Sequence, residues 1–391
     1  MKQAVILAAG EGQRLRPFTM TRPKVMLSIA GKPILHHVVE SLARNGIRQI
    51  VMVVGYRREQ VFSHFGNGER FGVEITYITQ EKQLGTAHAL NEARDAAQDE
   101  FLVVNGDNLI DAETIAGFIQ VKPPAVLVKE VPNAARYGVL TVENGAVTAI
   151  VEKPSEAAGN AVHTGICAFT REVFEFIDTS LDIPDVLSKM VSARKTIAAV
   201  ETRGTWMDVV YPWDVLVLNS AILKRTVATF GGTIEAGAYV KGPVSVGKDT
   251  VIRSNSYVLG PAVIGENCEI GPNAVIMPAT SIGDNVVISP FAAIRNSVIG
   301  DDVSIGPSSI VEDCVIDKGC AISGHLSAPS GEADVKVEDG YHAVKVGAMF
   351  GIGCNLSAGV VAQPGVIVGN YCEVQAMKTI GGRLPDRSKV Y

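Results

Sequence analysis

Two glycines and a group of cations near the N-terminus are the residues of this chain that best fit phosphate chemistry. The apolar run Ala4–Leu7 leads into Gly10 and Gly12. A glycine-rich turn exposes backbone N–H groups, with no Cβ to keep a phosphate away. Four cationic residues follow this turn: Arg14, Arg16, Arg22 and Lys24. Cationic side chains bind polyphosphates. The stretch therefore predicts a nucleotide site.

Two common phosphate motifs are excluded by what this stretch contains. A Rossmann dinucleotide motif needs a third glycine, where this chain has Leu15. A P-loop needs Gly-Lys-Ser/Thr, and no such triplet follows Gly12.

The pattern Gly-x-Gly-x-Arg-x-x-Pro-x-Thr, closed by Pro23-Lys24, resembles the signature of the sugar-1-phosphate nucleotidylyltransferases. The resemblance implies that a sugar-1-phosphate oxygen attacks the α-phosphorus of UTP or dTTP and expels pyrophosphate. Arg14 and Lys24 are the catalytic residues that it implies, and they would hold the triphosphate. The nucleotide-binding residues that it implies in the turn are Leu7, Ala8, Ala9, Gly10 and Gly12.

A second segment, Gln80–Ala89, fits recognition of a base. A glutamine amide offers a donor and an acceptor, which can match the O4/N3–H edge of uracil or thymine. The segment resembles the Gln…Leu-Gly-Thr-Ala-His-Ala stretch of uridylyltransferases that make UDP-N-acetylglucosamine, whereas the thymidylyltransferase branch more often has prolines here. The resemblance implies that Gln80, Gly85 and Thr86 bind the nucleotide, with UTP slightly favoured over dTTP.

Asp107 follows a predicted buried strand, Phe101–Val104, directly after Gly106. Considered by itself, it fits a turn or cap residue as well as a metal ligand. By resemblance, Asp107 and Asp208 are the two magnesium-binding aspartates of the family. Mg²⁺ prefers carboxylates together with substrate phosphates, so the implied cofactor is Mg²⁺.

Between these aspartates lie short segments that are either turns between strands or parts of a sugar-phosphate pocket. The resemblance implies the second role for Tyr137, Gly138, Glu152, Lys153, His163 and Gly165. Glu152 would bind sugar hydroxyls and Lys153 would lie near the phosphate. The family commonly has asparagine where this chain has His163, which leaves the identity of the sugar open.

Alternating apolar strands and helices predict an α/β domain over residues 1–226, with a doubly wound, Rossmann-like mixed sheet. Helical spacing of apolar residues predicts a helix from Pro33 to about Asn45 and another from Pro212 to about Thr226. Strands are predicted at Gln49–Val54, Thr76–Ile78 and Phe101–Val104. Ligands bind beyond the carboxyl ends of such strands.

Residues 227–391 form a repeat in which every sixth residue from Ile234 to Ile294 is aliphatic. Short strands joined by tight turns at this period predict a parallel β-helix. The repeat resembles the left-handed hexapeptide family, whose members usually form trimers. Its cysteines, which we interpret as compact core residues, fall on its small-residue position and are Cys268, Cys314, Cys320, Cys354 and Cys372.

An interruption at about Ser323–Val346 leaves room for a second activity. Gly324-His325-Leu326-Ser327 resembles the acetyltransferase domain of archaeal bifunctional sugar-phosphate enzymes. That resemblance implies His325 as a general base, Lys336 and Lys345 as site residues, and acetyl-CoA as a second substrate. The alternatives are thus a nucleotidylyltransferase alone, a bifunctional enzyme, or a scaffolding protein with an inactive nucleotide domain.

The composition of the chain limits the classes of molecule that we expect it to bind. The formal net charge of −6 over 391 residues argues against nucleic acid. The first strand begins so near Met1 that we expect no signal peptide, and no apolar run approaches a membrane span. We therefore expect a cytoplasmic protein that binds UTP or dTTP and a sugar-1-phosphate and forms a homotrimer or an assembly of trimers.

Overall fold

A computed structural model describes residues 1–132, 134–155, 159–338 and 340–391. Within these ranges the packing of the backbone divides the chain into two compact units. The first unit comprises Met1–Glu11, Arg22–Met26 and Ile34–Asp208. The second comprises Gly12–Thr21, Leu27–Pro33 and Val209–Tyr391.

Six α-helices and thirteen strands lie between residues 3 and 223 in the described part of the chain. The α-helices are α1 Ile34–Arg44, α2 Arg58–Phe65, α3 Thr86–Glu92, α4 Ala112–Phe118, α5 Ile183–Ser192 and α6 Asp214–Leu223. The strands up to residue 208 are β1 Gln3–Ala8, β2 Ser28–Ile29, β3 Lys32–Pro33, β4 Gln49–Val54, β5 Glu74–Thr79, β6 Glu100–Asn105, β7 Asn108–Ile110, β8 Ala125–Glu130, β9 Gly138–Glu143, β10 Ala146–Glu152, β11 Ala161–Thr170, β12 Ala198–Glu201 and β13 Trp206–Asp208. Short 3-10 helices lie at Gln13–Leu15, Lys24–Met26, Glu69–Phe71, Ala134–Arg136 and Arg171–Glu175.

The first unit is built on a mixed sheet with the strand order β5-β4-β1-β6-β11-β8-β12-β10-β9. Strands β5, β4, β1 and β6 run parallel, whereas β11 is antiparallel to both β6 and β8. Every residue of β1 is buried, as expected for a strand covered on both faces. This confirms the predicted Rossmann-like mixed sheet, and it brings the carboxyl ends of β1, β4, β5 and β6 to one edge.

Helix α1 shows why the predicted helices form. Its buried residues lie at helical spacing and are Ile34, Leu35, Val38, Val39 and Leu42. Such a stripe is covered by packing against the sheet. Among the described residues, the structure has no helix with both the length and the apolar character needed to cross a bilayer.

Most of the second unit is a parallel β-helix of short strands, which confirms the predicted left-handed hexapeptide architecture. The strands of the β-helix are β14 Thr229–Phe230, β15 Thr233–Ile234, β16 Tyr239–Lys241, β17 Val244–Val246, β18 Val251–Ile252, β19 Tyr257–Leu259, β20 Ala262–Ile264, β21 Glu269–Ile270, β22 Val275–Ile276, β23 Thr280–Ile282, β24 Val287–Ile288, β25 Ala293–Arg295, β26 Val298–Ile299, β27 Ser304–Ile305, β28 Ile310–Glu312, β29 Val315–Ile316, β30 Ala321–Ile322, β31 Ser327–Ala328, β34 Met349–Phe350, β35 Asn355–Leu356, β36 Val361–Ala362, β37 Ile367–Val368, β38 Glu373–Val374, β39 Thr379–Ile380, β40 Arg383–Leu384 and β41 Lys389–Val390. Two longer strands, β32 Gly331–Val337 and β33 Gly340–Val346, lie between β31 and β34.

Successive strands of the β-helix fall on successive faces, each a parallel sheet. Face one is β14-β17-β20-β23-β26-β29-β34-β37-β40, face two is β15-β18-β21-β24-β27-β30-β35-β38-β41, and face three is β16-β19-β22-β25-β28-β31-β36-β39. The aliphatic residues of the repeat, such as Ile270 and Ile288, point inward and form a continuous core. The five cysteines of the repeat lie in that core and none is in a disulfide.

The interruption in the repeat is an antiparallel hairpin, β32–β33, inserted between face three and face one. Coil pairing continues past it, because β29 pairs directly with β34. Val335, Val337 and Val346 are buried. On the same side of the hairpin, His342 lies against Tyr211, with ring centroids 4.3 Å apart. The segment is therefore a packed element, whereas the sequence predicted only a break in the repeat.

Candidate active site

Lys24, Asp107 and Asp208 meet in the first unit. The Lys24 Nζ lies 2.6 Å from Asp107 Oδ2 and 3.4 Å from Asp208 Oδ1. The three side chains are only 16%, 24% and 19% exposed, respectively. The two carboxylates therefore face one common point in a poorly hydrated place, where electrostatic interactions are stronger than in water.

The charges in this cluster stabilise one another. Burial by itself would lower the pKa of Lys24. The charges of Asp107 and Asp208 and the hydrogen bonds to them outweigh that effect, so the pKa of Lys24 is raised above its ordinary value. The ammonium is therefore a permanent cation at neutral pH.

The strands of the first unit explain how two aspartates so far apart in the chain converge. Asp107 follows the carboxyl end of β6, which pairs with β1, and the N–H of Gly106 donates to the carbonyl of Leu7 over 2.9 Å. Asp208 ends β13, which pairs antiparallel with β7 and places Asp208 opposite Asn108. A short ladder beside the main sheet thus brings the second carboxylate to the first.

The donor set at this point fits Mg²⁺. In the described part of the chain, no group of three or more His, Cys, Asp or Glu side chains is arranged to hold a metal ion. Mg²⁺, however, is usually held by one or two carboxylates together with waters and substrate phosphates. Asp107 and Asp208 supply those carboxylates, and their shared focus is the point that Lys24 Nζ contacts.

The residues of the glycine turn lie at the end of β1. Leu7 and Ala8 are its last residues, and Ala9 and Gly10 follow. The carbonyl of Ala9 accepts from the N–H of Tyr56 over 3.4 Å, which ties the turn to the segment after β4. The turn is thus held at the same sheet edge as Asp107.

Gly12 and Arg14 belong to the segment Gly12–Thr21, which packs within the second unit. Gly12 has a φ of +72° and precedes the 3-10 helix Gln13–Leu15. Arg14 is an exposed residue of that helix. The carbonyl of Gly12 accepts from the Thr19 hydroxyl over 2.7 Å, so this segment has its own internal support.

Gln80 and Gly85 come together at the end of β5. Gln80 is 3% exposed, and its amide Nε2 donates to the carbonyl of Gly85 over 3.1 Å and lies 2.9 Å from His88 Nδ1. The hydroxyl of Thr86 contacts Asp182 Oδ1 at 3.2 Å and accepts from the N–H of Ile183 over 3.0 Å. Thr86 therefore fixes the starts of α3 and α5 against each other, which the sequence did not reveal.

The predicted sugar-phosphate residues also converge. Strand pairing sets Glu152 opposite Gly138, and a Cβ on Gly138 would lie 2.9 Å from Glu152 Oε2 and 3.7 Å from His163 Cβ. Lys153 Nζ lies 3.2 Å from Glu152 Oε1, and the N–H of Lys153 donates to the carbonyl of Tyr137 over 3.1 Å. These residues therefore surround one point at the ends of β9, β10 and β11.

His163 is a neutral residue in this group. Burial lowers its pKa to about 4, and its Nε2 lies 3.1 Å from Cys167 Sγ. Burial also raises the pKa of the Cys167 thiol. Near pH 7 the uncharged imidazole therefore offers one hydrogen-bond donor and one acceptor.

Position 165 requires glycine. Its φ is +78°, and a Cβ there would lie 2.1 Å from Asn105 Nδ2 and 3.2 Å from Asn108 Oδ1. Any other residue would push these amides away from the site. Neither Asn105 nor Asn108 was assigned a role from the sequence, although both flank the Gly106-Asp107 pair.

Trp206 is another residue that sequence reasoning left without a role. Its indole N–H donates to the carbonyl of Thr164 over 2.8 Å, and its ring packs edge-on against Tyr137 with centroids 5.3 Å apart. Trp206 lies two residues before Asp208 and therefore links the residues predicted to bind the sugar phosphate to the second carboxylate. The sequence feature that could have indicated this role is the position of Trp206 in Trp206-Met207-Asp208, at the start of a short strand.

The three residues predicted for acetyl transfer have different surroundings. His325 is exposed at a corner between β30 and β31, with a φ of +52°. Lys336 and Lys345 lie on the outer side of the hairpin, with Lys345 opposite Glu332 and Lys336 Nζ 5.7 Å from the Tyr341 ring centroid. In the part of the chain that the structure describes, no hydrogen bond or ring contact joins the histidine to either lysine.

Family models match both halves of the chain. The nucleotidyl transferase model matches residues 3–225, and the bacterial transferase hexapeptide model, of six repeats, matches residues 261–296.

Individual relatives point the same way. The bifunctional protein GlmU of Methanocaldococcus jannaschii is 31% identical over 99% of this chain and 97% of its own length. The UTP–glucose-1-phosphate uridylyltransferase AglF of Haloferax volcanii is 37% identical over 54% of this chain and 93% of its own. By contrast, the chain spans only 61–62% of the length of the Methanococcus maripaludis GlmU proteins that it matches at 34–35% identity.

Solved structures show the same likeness for the first half. A Bacillus anthracis protein described as a glucose-1-phosphate thymidylyltransferase, solved with sucrose, is 29% identical with a TM-score of 0.53. The match covers 58% of this chain and 97% of that protein.

Proposed function

The chain belongs to the nucleotidyl transferase family, and from that premise we propose that it is a sugar-1-phosphate nucleotidylyltransferase. It joins UTP or dTTP to a hexose- or hexosamine-1-phosphate and releases pyrophosphate. We assign this reaction to residues 1–226 and a β-helix domain to residues 227–391. The observation that carries the proposal is the contact of Lys24 with both Asp107 and Asp208.

The reaction needs positioning and charge neutralisation more than a strong base, because the attacking sugar-phosphate oxygen is already an anion. A new P–O bond forms at the α-phosphorus as the bond to pyrophosphate breaks. Lys24 neutralises negative charge at the reacting phosphates, and Arg14 and the N–H groups of Ala9–Gly12 bind the triphosphate. Gln80 and Gly85 bind the base, while Glu152, Lys153 and His163 bind the sugar phosphate.

Asp107 and Asp208 would hold Mg²⁺ when it is bound. The ion supplies positive charge that offsets the repulsion between two anionic substrates. Because an ammonium and a metal ion would compete for the same carboxylate oxygens, Lys24 would then be available to the phosphates.

Two observations support a pyrimidine nucleotide. Gln80 is buried and fixed beside Gly85, as a base-reading amide should be. One relative is named for UTP and a structural neighbour is described as a thymidylyltransferase. The sugar is set by the group around Gly138, where neutral His163 replaces the amide common in the family.

The test is pyrophosphate release from UTP, dTTP, CTP, ATP and GTP, each with glucose-, glucosamine- and N-acetylglucosamine-1-phosphate. We expect turnover with UTP or dTTP and one preferred sugar phosphate. Absence of turnover with every pair would contradict the proposal and favour the scaffolding alternative.

A second activity, acetylation of glucosamine-1-phosphate from acetyl-CoA, is favoured by one observation. The bifunctional relative from Methanocaldococcus aligns over 99% of this chain. Acetyl-CoA consumption by the wild type that His325→Ala abolishes, with nucleotidyl transfer unchanged, would establish it. Acetyl-CoA left intact in the presence of glucosamine-1-phosphate would exclude it.

The β-helix supports a homotrimer. On face three, the first residues of successive strands point outward and are paired in register, so that they form one column. None of the described residues in this column is charged: Tyr239, Tyr257, Val275, Ala293, Ile310, Ser327, Val361 and Thr379. Ile310 is 46% exposed and Val361 39%. A contiguous, uncharged and mostly apolar column of this kind marks an interaction surface, and we assign further copies of this chain to it.

A further inference from the structure

The amide nitrogen of Gln80 has two partners inside the protein. Nε2 donates to the carbonyl of Gly85 over 3.1 Å and lies 2.9 Å from Nδ1 of His88, which accepts the second N–H when the His88 proton is on Nε2. A primary amide has two N–H donors. Its carbonyl oxygen, Oε1, is therefore the part of the amide that remains for a ligand.

The reverse orientation of this amide is disfavoured by two contacts. Rotating it would bring Oε1 against the Gly85 carbonyl and against the Nδ1 lone pair, and both are acceptors. Because Gln80 is only 3% exposed, water cannot relieve that repulsion cheaply. The orientation of the amide thus depends on Gly85 and on His88 together.

Glu92 favours the tautomer of His88 that has an acceptor at Nδ1. Both residues lie on α3, one turn apart, and His88 Nε2 is 3.5 Å from Glu92 Oε1. The carboxylate favours the proton on Nε2, because it attracts the N–H dipole. With the proton there, Nδ1 carries the lone pair that receives the Gln80 N–H.

We infer that His88, oriented by Glu92, is a positioning residue that makes Gln80 present a carbonyl to the base and so selects uracil or thymine over cytosine. This inference rests on the proposed function and names a determinant of its nucleotide specificity. Uracil and thymine carry an N3–H that donates to Oε1, whereas cytosine has a lone pair at N3 that Oε1 repels. The donor for O4 of the base must then come from elsewhere, since the Gln80 N–H groups are engaged.

The test compares His88→Leu with His88→Asn. Leucine removes the acceptor, whereas the amide oxygen of asparagine can take the place of Nδ1. We expect His88→Leu to lower the ratio of kcat/KM for UTP to that for CTP about tenfold. The loss should fall mainly in KM, with kcat changed less than about threefold, because His88 does not touch the reacting phosphates. His88→Asn should retain the wild-type ratio within about threefold.

Thermal unfolding of both variants separates this role from a structural one. Equal melting temperatures for the two variants, with different UTP/CTP ratios, support the inference. An unchanged ratio in His88→Leu overturns it, and so does an equal loss of the ratio in both variants. If the wild type prefers dTTP, the same comparison uses dTTP and dCTP. A wild type that uses no pyrimidine nucleotide contradicts the proposed function itself and removes the basis of this inference.

Discussion

At the scale of single residues, the Lys24 ammonium occupies the point where the proposed metal ion would contact Asp107 and Asp208. The contacts of 2.6 and 3.4 Å stabilise the carboxylates while no other cation is bound. Lys24→Gln removes this competitor and also removes a positive charge from the reacting phosphates. We expect kcat/KM to fall about 10²–10³-fold, while Mn²⁺, used as a probe for Mg²⁺, binds the free enzyme several-fold more tightly. Titration of Mn²⁺ by electron paramagnetic resonance measures this, and unchanged Mn²⁺ affinity would show that Lys24 does not compete.

His163 makes the stability of the chain depend on pH in a defined direction. Its folded pKa of about 4 lies below the ordinary value of 6.5, so the unfolded chain binds more protons between these pH values. The free energy of unfolding should therefore fall as the pH drops from 6.5 to 4. In His163→Asn this part of the pH dependence should disappear. Urea unfolding at several pH values tests it, and an identical pH dependence in both proteins would contradict the assignment.

At the scale of elements, Gly165 and Gly145 provide a matched pair. Both have a positive φ, +78° and +77°, but a Cβ on Gly165 would meet Asn105 at 2.1 Å whereas Gly145 has open space around it. Gly145→Ala should cost only the backbone strain, about 1–2 kcal/mol. Gly165→Ala should cost about 1–3 kcal/mol more and should also impair catalysis, because Asn105 adjoins Gly106 and Asp107. Equal losses of stability would mean that the amides near Gly165 can move aside freely.

Individual strands show how much of the fold could be predicted from the sequence. Strand Gln49–Val54 was predicted with its observed bounds, because a continuous apolar run between polar ends is typical of a buried parallel strand. The hairpin β32–β33 was missed as an element, although Val335 and Val337 alternate with exposed residues. Its extended strands break the six-residue repeat, so repeat periodicity registered it only as a gap.

Convergence of side chains was beyond the sequence. Asp107 and Asp208 were paired only by family resemblance, and it is the β7–β13 ladder that brings them together. Likewise, the sequence shows that His88 lies in the Gln80–Ala89 segment but not what it contacts. Its role depends on the distance to Gln80 Nε2, which no spacing rule gives.

At the scale of the whole molecule, face three of the β-helix should govern assembly. Ile310 on face three is 46% exposed, and Val287 on face two is 43% exposed. Ile310→Glu should convert the proposed trimer to monomers, because a charge in an apolar interface is costly when it has no partner. Val287→Glu introduces the same charge with similar exposure outside that face and should leave the trimer intact. Light scattering after size-exclusion chromatography gives the masses, and dissociation by Val287→Glu alone would move the interface to face two.

In the proposed reaction, Asp107 and Asp208 form the catalytic centre with Lys24. The direct measurement is Mg²⁺-dependent pyrophosphate release by Asp107→Asn, with Asp95→Asn, an exposed carboxylate of the first unit, as control. We expect Asp107→Asn to lower kcat/KM by at least about 10²-fold and to raise the Mg²⁺ concentration needed for half-maximal rate, while Asp95→Asn matches the wild type. Wild-type turnover and an unchanged Mg²⁺ requirement in Asp107→Asn would contradict the assignment of Asp107 to the catalytic centre.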